Sequence, residues 1–101
     1  MVERYAAQYG ARKDMMLHIM KCESGYNAGA VSPSGSFTGL FQFMASTWSS
    51  NRNAMGLDPN PALRTNAEEA IKTAAFKMGR DGYGAWPACS QKAFNLLGLN
   101  N

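Results

Sequence analysis

Hydrophobic residues recur at helical spacing in four stretches of this chain and thin out between them. From Lys13 to Cys22 the apolar positions Met15, Met16, Ile19 and Met20 stand three and four apart, which predicts a helix with one buried face. Glu23 follows Ile19 by four and Met20 by three, so its carboxyl shares that face at the C-terminal end of the helix. Upstream, Tyr5 and Tyr9 at i,i+4 predict a short helix over Val2–Tyr9 that stops at Gly10. Downstream, Ala67, Ala70, Ile71, Ala74, Ala75 and Met78 form one stripe, opened by the capping-box spacing Thr65-Asn66-Ala67-Glu68 and bracketed by Gly79 and Gly82. A last helix is expected from Ser90, with Ala93, Phe94 and Leu97 facing the core and Asn100 and Asn101 loose.

The interval between the second and fourth helices reads differently. Gly25 suits a left-handed helix terminator, and the loop from Tyr26 to Thr38 carries the turn chemistry Ser32-Pro33-Ser34-Gly35, which predicts a small hairpin. Gly39-Leu40-Phe41-Gln42-Phe43 is short and tight, Ser46 is placed to cap a third helix running to about Ala54, and Met55 to Leu63 reads as a Pro- and Asn-rich connector. From Ser24 to Asn51 there is no Asp, Glu, Lys, Arg or His, yet Tyr26, Phe37, Phe41, Phe43 and Trp48 lie there among hydroxyls and glycines. Pro33, Gly25, Gly29, Gly35 and Gly39 exclude a membrane span. A neutral, aromatic, hydroxyl-rich surface suits a sugar.

Composition narrows the picture. A chain of 101 residues with 46% hydrophobic and 17% charged positions forms one domain, residues 1–101, with a core dominated by Ala and Met and therefore by closely packed helices. The net charge of +3 and pI near 9.1 favour an anionic polymer, but the basic residues are scattered and no nucleic-acid motif accompanies them, so a nucleic-acid partner is not expected. Met1-Val2-Glu3-Arg4-Tyr5 has no basic region followed by an apolar run, so no signal peptide is expected within this chain. His18, the lone histidine, stands four before Cys22, and two ligands without a third or fourth make neither a zinc site nor, with Ser24, a catalytic triad. No metal or cofactor is expected.

Glu23 is the residue with chemistry to do. The C-terminal end of a helix is the negative end of its dipole, and an acid partly buried there holds its proton further toward neutral pH. Such an acid beside a sugar groove can protonate a glycosidic oxygen. By position alone, a glutamate at a helix end also reads as an ordinary solvated residue. Gln42, Trp48 and Trp86 are likewise open to a bland reading, as an exposed strand amide and two core aromatics.

The run Cys22-Glu23-Ser24-Gly25-Tyr26-Asn27, then Gly39-Leu40-Phe41-Gln42-Phe43, then Ser46-Thr47-Trp48 resembles the catalytic core of lytic transglycosylases in the lysozyme-like superfamily. Gly84-Ala85-Trp86-Pro87-Ala88-Cys89 is similar to the C-terminal signature of the resuscitation-promoting-factor branch. The resemblance spans Met15 to about Ser90. It implies a mainly α, α+β lysozyme-like fold of about five helices around a cleft, with a small hairpin or extended loop. It implies that Glu23 is the catalytic acid, that Ser24 hydrogen-bonds near it, that Gln42 faces the cleft beside Gly39, and that Tyr26 borders it; the bare backbone at Gly39 fits a polymer lying close. Where transglycosylases have Ala-Tyr-Asn this chain has Ala85-Trp86-Pro87, so Tyr83 and Trp86 are both candidates for the aromatic beside the glutamate. A Cys22–Cys89 disulfide follows from the same resemblance, with an oxidising location outside the cell or in its envelope. The remaining acids, Glu3, Asp14, Asp58, Glu68, Glu69 and Asp81, offer no evident partner for Glu23, which favours a lytic transglycosylase forming anhydro ends over a two-carboxylate muramidase. A monomer acting on peptidoglycan glycan strands is the expectation. A binding or signalling module that keeps the cleft without turnover is the alternative from outside the enzymes.

Overall fold

The computed structural model describes residues 1–99; the expectation for Asn100 and Asn101 lies outside them. Helix α1 (Val2–Tyr9) buries Tyr5 and Ala6 and ends at left-handed Gly10, whose N–H reaches the Ala6 carbonyl at 2.9 Å. Helix α2 (Lys13–Ser24) buries Met15, Met16, Ile19 and Met20, the predicted face, and Gly25 closes it with φ of 61° and an N–H bond to Lys21. Strand β1 (Phe37–Thr38) pairs antiparallel with β2 (Phe43–Met44), with Phe37 opposite Met44 and Thr38 opposite Phe43. The hairpin therefore turns through Gly39–Gln42. The predicted fold-back within Tyr26–Thr38 consists of a single bridge, Val31 to Thr38.

Helix α3 (Ala45–Met55) follows β2 without a break, and its N-cap position is Met44. Ser46 lies inside the helix and does not cap it, because pairing with Phe37 already holds Met44 in extended backbone and the helix starts at the next residue. The expected irregular connector contains a 3₁₀ turn (Pro61–Thr65). It is tied to α3 by the Trp48 indole N–H donating to Asn60 O (3.0 Å) and by Arg52 Nε donating to Asp58 O (2.9 Å). Arg52, one of the scattered bases, is buried and also pairs with Glu69 at 2.8 Å, a charge kept inside because it is paired and hydrogen-bonded.

Helix α4 (Ala67–Asp81) is capped by Asn66, whose side chain accepts from Glu69 N–H, one residue later than the Thr65 capping box. Thr65 is spent elsewhere, its hydroxyl donating to Ala62 O at 3.2 Å to finish the 3₁₀ turn. Gly82 ends the helix, whereas Gly79 lies within it and serves a different purpose. A Cβ on Gly79 would sit 1.8 Å from the Tyr9 carbonyl oxygen, so the absence of a side chain lets α4 touch the end of α1. Helix α5 (Pro87–Leu97) begins three residues before the expected Ser90, since Pro87 takes the first helical position and Ser90 N–H bonds back to Trp86 O.

Helix α1 packs on α4, and α2 on α5. Trp48, Phe41, Met15, Met16 and Ile19 are fully buried in the core. The whole is a mainly helical α+β lysozyme-like fold, and among the described residues no helix is long and apolar enough to cross a membrane. The Cys22–Cys89 disulfide joins the end of α2 to the first turn of α5.

Gly79→Ala is expected to destabilise the fold by about 2 kcal/mol or more and lower the melting temperature by roughly 10 °C. Gly84→Ala, where an added Cβ meets nothing within 4 Å, should stay within about 0.5 kcal/mol of the parent. Calorimetry on both variants checks the contrast. Because the disulfide spans a sequence separation of 67, its reduction should remove about 4 kcal/mol in the chain-entropy model, read as a lower midpoint in urea with reductant.

Candidate active site

Glu23 occupies the last turn of α2, directly after the bridged Cys22. Its half-buried carboxyl opens into a cavity of about 330 Å³ whose other walls are Phe37 and Gln42 from the hairpin and Ala85, Trp86, Pro87 and Ala88 from the entry to α5. Phe37, Gln42, Ala85 and Trp86 also line an adjoining space of about 120 Å³ that extends to Phe43, Met44, Thr47 and Lys77. The two form one groove between hairpin and helices. Burial pushes the Glu23 carboxyl up from its ordinary range, and the negative end of the α2 dipole acts in the same direction.

No hydrogen bond or ion pair reaches the Glu23 carboxyl among the described residues. The other acids are all occupied and none lines the groove. Glu3 and Asp14 pair with Lys13 and Arg12, Glu68 accepts from the Tyr5 hydroxyl at 2.6 Å, and Glu69 pairs with Arg52 and Lys72. Asp58 accepts from Asn60 N–H, and Asp81 is held by Arg80 and Lys77.

Gln42 is one of two described non-glycine residues with positive φ, here 53°, the other being Tyr26. The strained backbone is held by its own side chain, whose amide nitrogen donates to Ala30 O (3.1 Å) and Gly39 O (2.9 Å). Both partners are carbonyls, which fixes the amide orientation and leaves its oxygen as the group available to a ligand. Beside it, Gly39 has φ of 89°, and a Cβ there would lie 2.1 Å from Arg64 O. Its bareness lets the hairpin turn sit on the 3₁₀ turn, a packing reason distinct from the polymer approach expected of it. Trp86 is both core and wall: only 5% exposed, it donates its indole N–H to Phe41 O at 2.9 Å and still lines both parts of the groove.

Besides Gly39, three of the expected residues stand apart from the groove lining. The Ser24 hydroxyl donates to Met20 O at 3.0 Å, one turn back along α2, so its hydrogen bond serves the helix end. Tyr26 is exposed and lines neither part. Tyr83 packs edge-on against Phe94, and its hydroxyl accepts from Arg12 N–H at 2.9 Å, so of the two aromatic candidates Trp86 is the one beside Glu23. Sequence reading placed Phe37 only within the sugar-suited segment and Pro87 and Ala88 only within the family signature, and it missed Met44 and Lys77 as groove residues. Lys77 had a signal: it immediately precedes Met78 of the buried α4 stripe, at the edge of an apolar face. A wider surface hollow of about 470 Å³ lies behind the disulfide, lined by His18, Lys21, Cys22, Lys92, Ala93 and Leu96, and no carboxyl reaches it.

A model of the transglycosylase-like domain matches residues 10–89, which include Glu23, the hairpin and the Trp86 wall. The chain belongs to that family. It stands near the resuscitation-promoting-factor branch, being 38% identical over 72 residues to resuscitation-promoting factor RpfB of Mycolicibacterium smegmatis, 71% of this chain and 19% of that protein. It is 35% identical over 83 residues to resuscitation-promoting factor Rpf1 of Corynebacterium glutamicum, 82% of this chain and 39% of the relative. To resuscitation-promoting factor Rpf of Micrococcus luteus it is 33% identical over 87 residues, 86% and 36%. The chain thus spans less than two fifths of the length of these relatives.

A carboxyl that folding pushes up in pKa costs stability once it ionises. That cost is absent below the ordinary value of 4.5 and grows as the pH rises toward the raised value. Glu23→Gln should therefore melt at or above the parent at pH 7, by about 1–3 °C, and lose that margin in acid, as a pH series of thermal melts would show.

Proposed function

We propose that this transglycosylase-like domain cleaves the MurNAc–GlcNAc β-1,4 linkage of peptidoglycan glycan strands as a lytic transglycosylase, with Glu23 as acid and then base. The supporting observation is a half-buried, unpaired carboxyl in a groove that, among the described residues, no second carboxyl lines. The protonated Glu23 gives its proton to the glycosidic oxygen as the C1–O bond breaks, and positive charge develops at C1. Its carboxylate then takes the proton of the C6 hydroxyl while O6 bonds to C1, which closes a 1,6-anhydro ring and restores the acid. No water is consumed. Hydrolysis needs a second group to activate water or bond to C1, and the six other acids are engaged elsewhere.

The groove is built from residues of a single copy, in keeping with action as a monomer. The disulfide and the glycan substrate together fit an oxidising setting at the cell envelope or outside the cell.

Purified wall or glycan strands incubated with the protein should yield muropeptides one water lighter than reducing-end products. Mass spectra dominated by hydrated ends would replace this reading with a hydrolytic muramidase, and absence of any cleavage with a binding module. Glu23→Gln should lower the cleavage rate by about 10²-fold or more, consistent with loss of the proton donor. That rate should also fall in the parent as pH rises past the raised Glu23 value, because the donor is then ionised.

A further inference from the structure

Among the described residues the groove carries charge at two places, Glu23 in one part and Lys77 in the other. Lys77 projects from α4 with its side chain 15% exposed, beside Met44 and Thr47, and donates to Asp81 Oδ2 at 3.1 Å. Lys77 does not have Asp81 to itself. Arg80 already grips the same carboxylate through both oxygens, Nε to Oδ1 and Nη2 to Oδ2 at 2.8 Å each, so two cations share one anion and a positive charge is left over. That carboxylate is held well below its usual range by Arg80 and then Lys77, and stays ionised. Phe37 and Met44, 41% and 44% exposed, provide apolar surface on the same stretch of groove.

We infer that Lys77 is a specificity-determining residue that receives a carboxylate on the O3 arm of a muramyl sugar, while Phe37 and Met44 take the methyl groups of that arm. This rests on the peptidoglycan-cleaving reading and adds the substrate feature that Glu23 cannot read. A muramyl sugar differs from its glucosaminyl neighbour by this lactyl arm, bare or extended by a peptide. A cation beside an apolar wall favours the sugar that bears this arm and its carboxylate over the one that lacks both. Lys77 touches no bond that breaks, so its contribution lies in which strands are bound and in what register.

The test compares cleavage of three preparations of glycan strands: with stem peptides, with the peptides removed by an amidase to leave the lactyl carboxylate, and with all carboxylates converted to neutral methylamides. The parent should cleave a carboxylate-bearing preparation about tenfold more efficiently, as kcat/KM, than the neutral one, and added salt should erode that ratio. Whichever of the first two preparations carries the preference identifies the carboxylate. In Lys77→Met the ratio should fall toward unity, and Lys77→Arg should restore most of it. A parent indifferent to neutralisation, or a Lys77→Met variant that keeps the ratio, overturns the inference while leaving the cleavage reaction standing. If no strand of any kind is cleaved, the enzymatic reading falls and this one with it. Should Lys77→Met fail to fold, the parent's ratio and its salt dependence still decide.

Discussion

The structure is organised around the burial of Trp86. Its indole N–H reaches across a sequence separation of 45 to the Phe41 carbonyl, and its ring meets Phe41 and Phe43 edge-on at centroid distances of 6.2 and 5.9 Å. Phe43 in turn meets Trp48, whose own N–H is fixed by Asn60. One chain of aromatic contacts thus links the entry to α5, the hairpin, α3 and the 3₁₀ turn. Each ring contributes apolar burial, and each indole has its donor satisfied inside the protein. The groove opens along the edge of this aromatic layer. Its two walls cannot separate without exposing rings and orphaning an N–H, so a small domain can hold its groove open to ligand without collapse.

The disulfide adds a covalent tie to that layer. Cys22 precedes Glu23 and Cys89 follows Ala88, so the covalent bond sits one residue behind each wall at the end where the acid lies. The acid's position is set by its helix and by this bond, with no hydrogen bond to its own carboxyl. A group held that way keeps both oxygens free for chemistry. A carboxylate fixed by donors would have its pKa lowered and its lone pairs occupied.

Much of this was legible in the sequence, for identifiable reasons. The α2 and α4 faces follow from 3.6-residue periodicity, and Gly10, Gly25 and Gly82 mark helix ends because positive-φ backbone there is local chemistry. The errors are tertiary in origin. Ser46 and Thr65 are good local caps that lost to neighbours: strand pairing fixed Met44, and the 3₁₀ turn claimed Thr65. Gly79 reads as punctuation and is in fact a contact surface, a distinction that depends on where Tyr9 lies in space. In the groove, Glu23, Gln42 and Trp86 were marked by motif, whereas Tyr83 was drawn away by Arg12 and Phe94, and Lys77 was brought in by the direction of α4. Sequence carries the residue types, and only packing assigns their neighbours.

The contact between Gly79 and Tyr9 separates two ways of delimiting this domain. The match to the family model begins at residue 10, yet the backbone of α4 rests on the carbonyl of residue 9, and Tyr5 and Ala6 lie in the same core as Ala74 and Ala75. A fragment cut at the shared boundary would keep every residue of the groove and lose the cover over the small-residue face of its longest helix. For this chain, the span that marks the family is shorter than the span that packs into one core.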